Sequence, residues 1–441
     1  MKKLFSSLLL FLLVILLFSC GSASDAPATD KTEPTETAET LPETAPETAQ
    51  ETEPETEPET EPETEAETEQ TLTYPYVINA VKGVPAPEEY TDADLRQRAV
   101  DYMHEMANVV WTCGNKTSID FTFIAPSLDY RPGHTYMGMI YNWDLFSNFE
   151  TFVDKLENGV YNNEKATTQN THGNTCSTSI LQAWKTVSNK VDYTYTIDMV
   201  PGVTDNGVIP IGNVDWSTYD GSANVKGDSR SSVLMATPSQ TVYEAYALLL
   251  PGDALMRQLE SNGHALMCTG ETTVVRNADG TIDPSNSYTV LTDQNTQMNY
   301  EREYESSWGY DRRRSFSSIY GDGFLPVTIP ELRDGTTEKP YIVMSWLPSF
   351  KGLNKGNLEG EVVSNYNMLS FTAEILKDSA DGEVVAAHTG HPHSKSVQIK
   401  TYITPLKIST LDPGVYVLRL TGEVGLLKQE VLTVAFEIPQ E

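Results

Sequence analysis

The segment Gly173-Asn174-Thr175-Cys176-Ser177-Thr178-Ser179 begins a helical pattern. Residues at helical spacing share one face: Cys176, Ile180, Ala183, Trp184 and Val187. The pattern predicts a helix from Cys176 to Val187 with its thiol in the first turn. Unpaired amides and the helix dipole favour a thiolate there and can stabilise an oxyanion. The alternative is that Cys176 is only a small buried apolar residue.

Two helices are expected before this segment and a sheet after it. Thr91 and Asp94 open the first helix, and Phe149 to Leu156 form the second. The apolar face of the first consists of Leu95, Ala99, Tyr102, Met103, Met106 and Val110. The turn Glu260-Ser261-Asn262-Gly263 predicts a hairpin of strands Ala254 to Leu259 and His264 to Cys268, with a further strand from Tyr288 to Thr292. Helices carrying a cysteine, followed by an antiparallel sheet carrying a histidine, indicate an α+β fold of papain-like order.

A nucleophilic thiol needs a base, which a rigid neighbouring element should supply. His264 begins a predicted strand and is the candidate, although a half-exposed turn histidine is the alternative. His172 precedes Cys176 by four residues, on a flexible loop that would hold a base poorly. Asp293 and Gln294 end the next strand and could orient the imidazole. Gln294 is slightly preferred, but the spacing leaves both open.

Four motifs together resemble those of NlpC/P60-type cysteine peptidases. In chain order they are Tyr136-Met137-Gly138-Met139-Ile140-Tyr141, Asn174-Thr175-Cys176-Ser177 with Trp184, Pro251-Gly252-Asp253-Ala254-Leu255, and Gly263-His264-Ala265-Leu266-Met267. The similarity covers roughly residues 91–300. Where the family has Pro, Asp and Gly, this chain has Ile140, Thr175 and Thr178, and these differences leave the substrate preference open.

The resemblance implies a Cys–His–polar triad that cleaves bonds in the peptide stems of the bacterial cell wall. Cys176 would be the nucleophile, His264 the base, and Gln294 or Asp293 the orienting group. Tyr141 would shape the site near the oxyanion. A papain-like domain over 73–334 is therefore expected.

Residues 335–441 have a different pattern, with short strands between regular turns. Their number and length predict an all-β, immunoglobulin-like sandwich. The predicted strands are 340–348, 361–377, 382–388, 395–406, 414–423 and 427–438.

The N-terminal region predicts export and a lipid anchor. Lys2 and Lys3 precede an apolar run from Leu8 to Phe18, and a lipobox-like cleavage site with Cys20 follows it. Residues 1–20 therefore indicate a lipoprotein signal peptide with Cys20 as the lipidated residue. Residues 21–72 are rich in Glu, Thr and Pro and are expected to be disordered. This linker could extend on the order of 160 Å at about 3.1 Å per residue. The folded part would stand on the extracellular face of the bacterial cytoplasmic membrane.

The net charge disfavours one class of binding partner, and the cysteine count limits disulfide pairing. The chain has a net charge of −32, which disfavours nucleic acid as a partner. Besides Cys20 there are only Cys113, Cys176 and Cys268, so at least one thiol has no intramolecular partner.

Three weaker signals are interpreted as ordinary surface features. They are the basic run 311–314, the calcium-loop-like 277–283, and the histidines of 388–393. No metal or cofactor is expected.

The sequence therefore predicts an envelope-anchored cysteine hydrolase whose partner is peptidoglycan or a wall-associated peptide. One alternative is an inactive papain-like scaffold that binds wall or protein through its C-terminal sandwich. Acyl transfer by the same thiol and histidine is another.

Overall fold

A computed structural model describes residues 73–84, 90–201, 205–218, 233–258, 263–336 and 338–440. All of them belong to one compact unit, Gln70–Glu441. The predicted signal peptide, Cys20 and the linker all precede the described residues. No described helix is long and apolar enough to cross a bilayer.

The described chain contains both helices and strands. The helices are α1 Asp92–Asn108, α2 Phe149–Val153, α3 Cys176–Lys185, α4 Ser239–Tyr246, α5 Phe316–Gly321, α6 Glu331–Asp334 and α7 Ile399–Ile403. The first ten strands are β1 Tyr76–Ala80, β2 Val110–Cys113, β3 Ile119–Asp120, β4 Asp129–Tyr130, β5 Thr135–Met137, β6 Leu156–Glu157, β7 Val160–Tyr161, β8 Ile209–Pro210, β9 Ala254–Gln258 and β10 Gly263–Cys268. The others are β11 Tyr288–Asn299, β12 Ser306–Ser315, β13 Leu325–Thr328, β14 Ile342–Met344, β15 Glu361–Ser364, β16 Ser370–Lys377, β17 Val384–Gly390, β18 Ser396–Gln398, β19 Gly414–Val424 and β20 Leu427–Ile438.

The predicted helices are present, and their ends differ slightly from expectation. The Thr91 side chain caps α1 by accepting a hydrogen bond from the Asp94 amide. Val110, expected on the helix face, lies instead in β2 and is exposed. Leu156 likewise lies in β6 rather than in the second helix. At both positions the residue is β-branched or apolar and pairs with a neighbouring strand, so it belongs to a strand rather than to the helix.

A six-stranded sheet of order β12-β11-β10-β9-β13-β8 lies beside α3. The predicted hairpin strands β9 and β10 pair antiparallel, with His264 opposite Arg257. Their connecting turn lies outside the described residues. The predicted strand from Tyr288 continues to Asn299 and pairs with β12. The expectation of mixed α and β structure with antiparallel sheets is confirmed.

Two antiparallel sheets surround a second apolar core in the C-terminal part. One has the order β1-β20-β19-β16-β17 and the other β14-β15-β18. Apolar side chains from both sheets, such as Val362 and Leu418, belong to this core.

The structure corrects three expectations for this part. The predicted strand 361–377 is two strands, β15 and β16, which belong to different sheets. The predicted strand 395–406 is a short strand, β18, followed by helix α7, whose Ile399, Tyr402 and Ile403 are buried. Residues Tyr76–Ala80, expected with the first domain, form β1 and pair with β20. Long-range pairing of this kind leaves no local signature in the sequence.

Asp253, in the Pro-Gly-Asp motif just before β9, is completely buried among cations. Its carboxylate lies 3.0 Å from Arg96 and 2.7 Å from Arg333. It also accepts a 2.6 Å hydrogen bond from the hydroxyl of Thr328 and a 2.9 Å bond from the amide of Leu250. The cluster therefore links α1, α6 and the sheet that carries His264.

We expect Asp253→Ala to lower the free energy of unfolding by about 3–5 kcal/mol, because it leaves a buried cation without its partner. Urea unfolding measures this value. Glu244→Ala is the control, because it breaks an exposed ion pair with Arg276 and should leave the transition almost unchanged. A loss below about 1 kcal/mol for Asp253→Ala would show that the cluster does not stabilise the fold.

Candidate functional site

Cys176 is the first residue of α3 and is 7% exposed. Thr175 caps the helix: its side chain accepts from the Thr178 amide, and the Thr178 hydroxyl accepts from the Thr175 amide. The Ser177 hydroxyl donates to the Thr194 carbonyl over 2.9 Å, and the Ser179 hydroxyl to the Thr175 carbonyl over 2.7 Å. Hydroxyl side chains therefore fix the conformation of the first turn of α3, which carries the thiol. The first backbone amides of α3 have no hydrogen-bond partner within the helix.

The lead-in to Cys176 runs beside the segment that contains Tyr141. The Asn174 amide donates to the Ile140 carbonyl over 3.0 Å, and the Asn142 amide donates to the Asn174 carbonyl over 2.9 Å. A Cβ at Gly173 would lie 2.3 Å from the Ile140 carbonyl oxygen, so only glycine permits this approach. The close pairing explains why the Gly-Asn lead-in brings Tyr141 next to the thiol.

His264 lies on β10 and faces both Cys176 and Asp293. Its Nε2 donates to Asp293 Oδ2 over 3.0 Å. Burial alone would lower the pKa of His264, but the charge of the Cys176 thiolate and hydrogen bonds with Asp293 and Cys176 raise this pKa to about 10. The imidazole is therefore protonated at neutral pH, and Nδ1 is the nitrogen left for chemistry at the thiol.

Asp293 is the residue that orients His264 in the structure. Burial would raise its pKa, but the hydrogen bond and positive charge of His264 lower it, helped by Asn295 and Arg312. The carboxylate therefore remains ionised beside the imidazolium.

The slight preference for Gln294 as the orienting residue is wrong. Its side-chain amide nitrogen donates to the Met139 carbonyl over 2.9 Å, and its Oε1 lies 3.0 Å from the Ser179 hydroxyl oxygen. Neighbouring residues of a strand point to opposite faces, so only one of the pair could meet His264. Gln294 instead joins α3 to the segment that carries Tyr141.

The charge of Cys176 affects the pKa of two tyrosines. Burial and then the thiolate charge raise the pKa of Tyr141, which is half-buried, with a further contribution from Tyr130. The same two causes raise the pKa of Tyr193. Tyr141 was expected here, whereas Tyr193 belongs to the segment after α3, where no motif distinguishes it in the sequence.

The remaining candidate residues bond or pair with groups other than Cys176, His264 and Asp293. His172 bonds the Ser147 hydroxyl over 2.8 Å. The basic run 311–314 lies in β12, where Arg312 pairs with Glu301. His391 pairs with Asp154, and His393 lies 3.7 Å from Glu150. No group of His, Cys, Asp and Glu side chains in the described part of the chain could hold a metal ion.

Cys113 and Cys268 are buried free thiols outside this arrangement. Burial raises the pKa of both thiols, that of Cys268 to about 11. Both therefore remain protonated and unreactive at neutral pH.

Comparison with protein-family models finds no match, and comparison with curated proteins finds none either. The site combines a thiol at the start of a helix, an imidazole beside the thiol and a carboxylate that binds the imidazole. This arrangement is suited to nucleophilic attack on a carbonyl carbon.

Proposed function

We propose that this chain is a lipid-anchored cysteine hydrolase of papain-like fold that cleaves an amide bond in the peptide stems of bacterial peptidoglycan. The observation that carries the proposal is the succession of Cys176, His264 and Asp293, with Nε2 of His264 held by the carboxylate. The order of a cysteine-bearing helix before an antiparallel sheet bearing histidine supports the papain-like fold. The two C-terminal sheets with a shared core support an immunoglobulin-like sandwich.

The first half of the reaction is acylation of the thiol. The Cys176 thiolate forms a bond to the carbonyl carbon, and the carbonyl electron pair moves onto oxygen. First-turn amides of α3 stabilise this oxyanion. When the carbonyl reforms, the C–N bond breaks and the departing nitrogen takes a proton from Nδ1 of His264. A thioester on Cys176 and a free amine result.

The second half restores the enzyme. Neutral His264 takes a proton from water as the water oxygen attacks the thioester carbon. Collapse of the second oxyanion breaks the C–S bond and releases a carboxylic acid. Cys176 leaves as a thiolate beside the imidazolium, so one amide and one water give one amine and one acid.

The lipid anchor is supported by the apolar N-terminal run that ends at Cys20. A chain tethered there by an extended acidic linker reaches wall material near the membrane. Peptidoglycan stem peptides contain amide bonds and lie in that space, which is why we favour them as the substrate.

The test is digestion of purified cell wall before and after treatment with iodoacetamide at pH 7. We expect the chain to release soluble peptides, and we expect this release to fall in proportion to the alkylation of Cys176. Peptide mapping measures the extent of that alkylation. The matched control is a Cys113→Ala, Cys268→Ala double variant, which should be equally active and equally sensitive. Release that persists after complete alkylation of Cys176 contradicts the proposal.

A binding module is the second candidate, and an open groove in the C-terminal part favours it. The half-exposed Trp346 lines the groove with Glu359, Gln398 and Lys400. An exposed indole next to polar side chains suits a saccharide ring. This candidate predicts wall binding without any release of peptides.

A further inference from the structure

An open groove in the C-terminal part of the chain has the size of a ligand site. Its volume is about 620 Å³, within the range of roughly 300–1,000 Å³ that is typical of ligand pockets. We call it the Trp346 groove, and the residues that line it are Trp346, Glu359, Gly360, Gln398, Lys400, Thr401, Thr404 and Pro405. None of them belongs to the arrangement around Cys176, so a ligand in this groove would not occupy the candidate active site.

Backbone contacts fix the shape of the Trp346 groove. The Ser345 amide, directly before the tryptophan, donates to the Glu361 carbonyl over 2.9 Å. At the start of α7, the Ile399 amide donates to the Gly360 carbonyl over 2.9 Å. A Cβ at Gly360 would lie 2.8 Å from Cδ1 of Ile399, so glycine allows α7 to pack closely against the residue before β15. The walls of the groove are therefore held by the fold.

The aromatic surface in the groove suits the face of a sugar ring. Trp346 follows β14 and is 50% exposed, whereas Trp111, Trp184 and Trp308 are buried. The face of an indole ring carries negative potential, which attracts the C–H groups on the face of a sugar ring. Removing the exposed indole from water is also favourable. Trp346 can therefore support a sugar ring by stacking.

The charges in the groove favour a neutral ligand over a stem peptide. Among the described residues that line it, only Glu359 and Lys400 carry charge, and their side chains lie 3.5 Å apart. Just outside the groove, the carboxylate of Glu361 accepts a hydrogen bond from Gln398 over 3.1 Å. A stem peptide carries several carboxylates and would meet no unpaired cation among these residues. The wall glycan is neutral wherever its lactyl carboxyl groups are joined to stems as amides.

We infer that the Trp346 groove binds a neutral segment of the wall glycan. One sugar ring lies on the indole of Trp346, and hydroxyl and acetamido groups of the strand bond the side chains of Gln398 and Lys400. The groove is then a saccharide site separate from the thiol, and it holds the chain on the polymer that carries the stems. This inference goes beyond the proposed function and does not depend on cleavage.

Calorimetric titration of the whole chain with the β-1,4-linked tetramer of N-acetylglucosamine tests the inference. We expect saturable binding by the wild type and a Kd at least about tenfold higher for Trp346→Ala, because truncating a central tryptophan removes much of the binding energy of such a site. Trp346→Phe keeps a smaller aromatic face and should give an intermediate Kd. Both variants should keep the melting temperature of the wild type, because the side chain is exposed. The control is Tyr300→Ala, which removes an aromatic side chain that is 71% exposed and should leave Kd unchanged.

Three results would overturn the inference. Absence of saturable binding of the tetrasaccharide by the wild type shows that the groove is not a saccharide site. An equal Kd for Trp346→Ala and the wild type places the saccharide elsewhere. Binding of a stem tetrapeptide that is lost in Trp346→Ala, without binding of the tetrasaccharide, makes the groove a peptide site. Release of peptides from wall is a separate measurement, so the proposed function can fail while the inference stands, and the reverse.

Discussion

Cys176→Ala is expected to abolish the release of peptides from cell wall. Alanine has no atom that can form the acyl bond, and removal of a nucleophile from a comparable triad lowers kcat by about 10⁶-fold. Such a loss puts the rate below detection. The variant should fold normally, because the thiol is small and the cap of α3 is formed by Thr175 and Thr178.

Matched cysteine variants separate loss of the nucleophile from loss of a buried thiol. Cys113→Ala and Cys268→Ala remove equally small side chains from other buried positions, and both should retain activity. Equal activity in Cys176→Ala and the wild type would assign the chemistry elsewhere. Circular dichroism of each variant verifies that the fold is retained.

His264→Ala is expected to lower kcat by about 10³-fold or more, because proton transfer by a positioned base contributes about 10²–10⁴-fold and the thiolate also loses its countercharge. His172→Ala is the control and should keep its rate, because His172 bonds Ser147 rather than the thiol. Steady-state kinetics on soluble muropeptides measures both variants. A full rate for His264→Ala together with a lower rate for His172→Ala would reverse the assignment of the base.

The raised pKa of His264 gives the pH profile its expected direction. The imidazolium that protonates the departing amine is present at neutral pH in the free enzyme, so kcat/KM should fall as pH rises through about 10. Asp293→Asn removes one cause of the raised pKa and should move this fall to lower pH. The same raised pKa makes protonation of His264 stabilise the fold. That contribution is complete below the unfolded-state pKa of about 6.5 and is lost as pH rises through about 10.

Local signals in the sequence were sufficient to predict the helix that carries Cys176 and the strand that carries His264. The cap at Thr175 and the apolar face that follows it specify where α3 begins. The strands on either side of Asn262 and Gly263 pair as expected, with His264 on the second strand. These features depend on residues a few positions apart, for which the physical rules are strong.

Long-range features were not accessible from the sequence. Whether Asp293 or Gln294 shares the sheet face of His264 depends on the register in which β11 pairs with β10, and alternation alone does not set that register. Tyr193 packs against Trp184 of α3, and the carbonyl of the next residue, Thr194, accepts a hydrogen bond from the Ser177 hydroxyl of the same helix. The pairing of β1 with β20 joins residues more than 350 positions apart.

The central claim is that this chain hydrolyses an amide bond through Cys176, and digestion of purified wall in water enriched in ¹⁸O tests it most directly. Mass spectrometry of the soluble products should show new amine ends and matching new carboxyl ends. Each new carboxyl group should carry one ¹⁸O atom with the wild type, and no such ends should form with Cys176→Ala. New amide linkages without ¹⁸O would indicate acyl transfer, and absence of new ends would indicate a scaffold that only binds. Either result, or equal labelling by the variant, would contradict the claim.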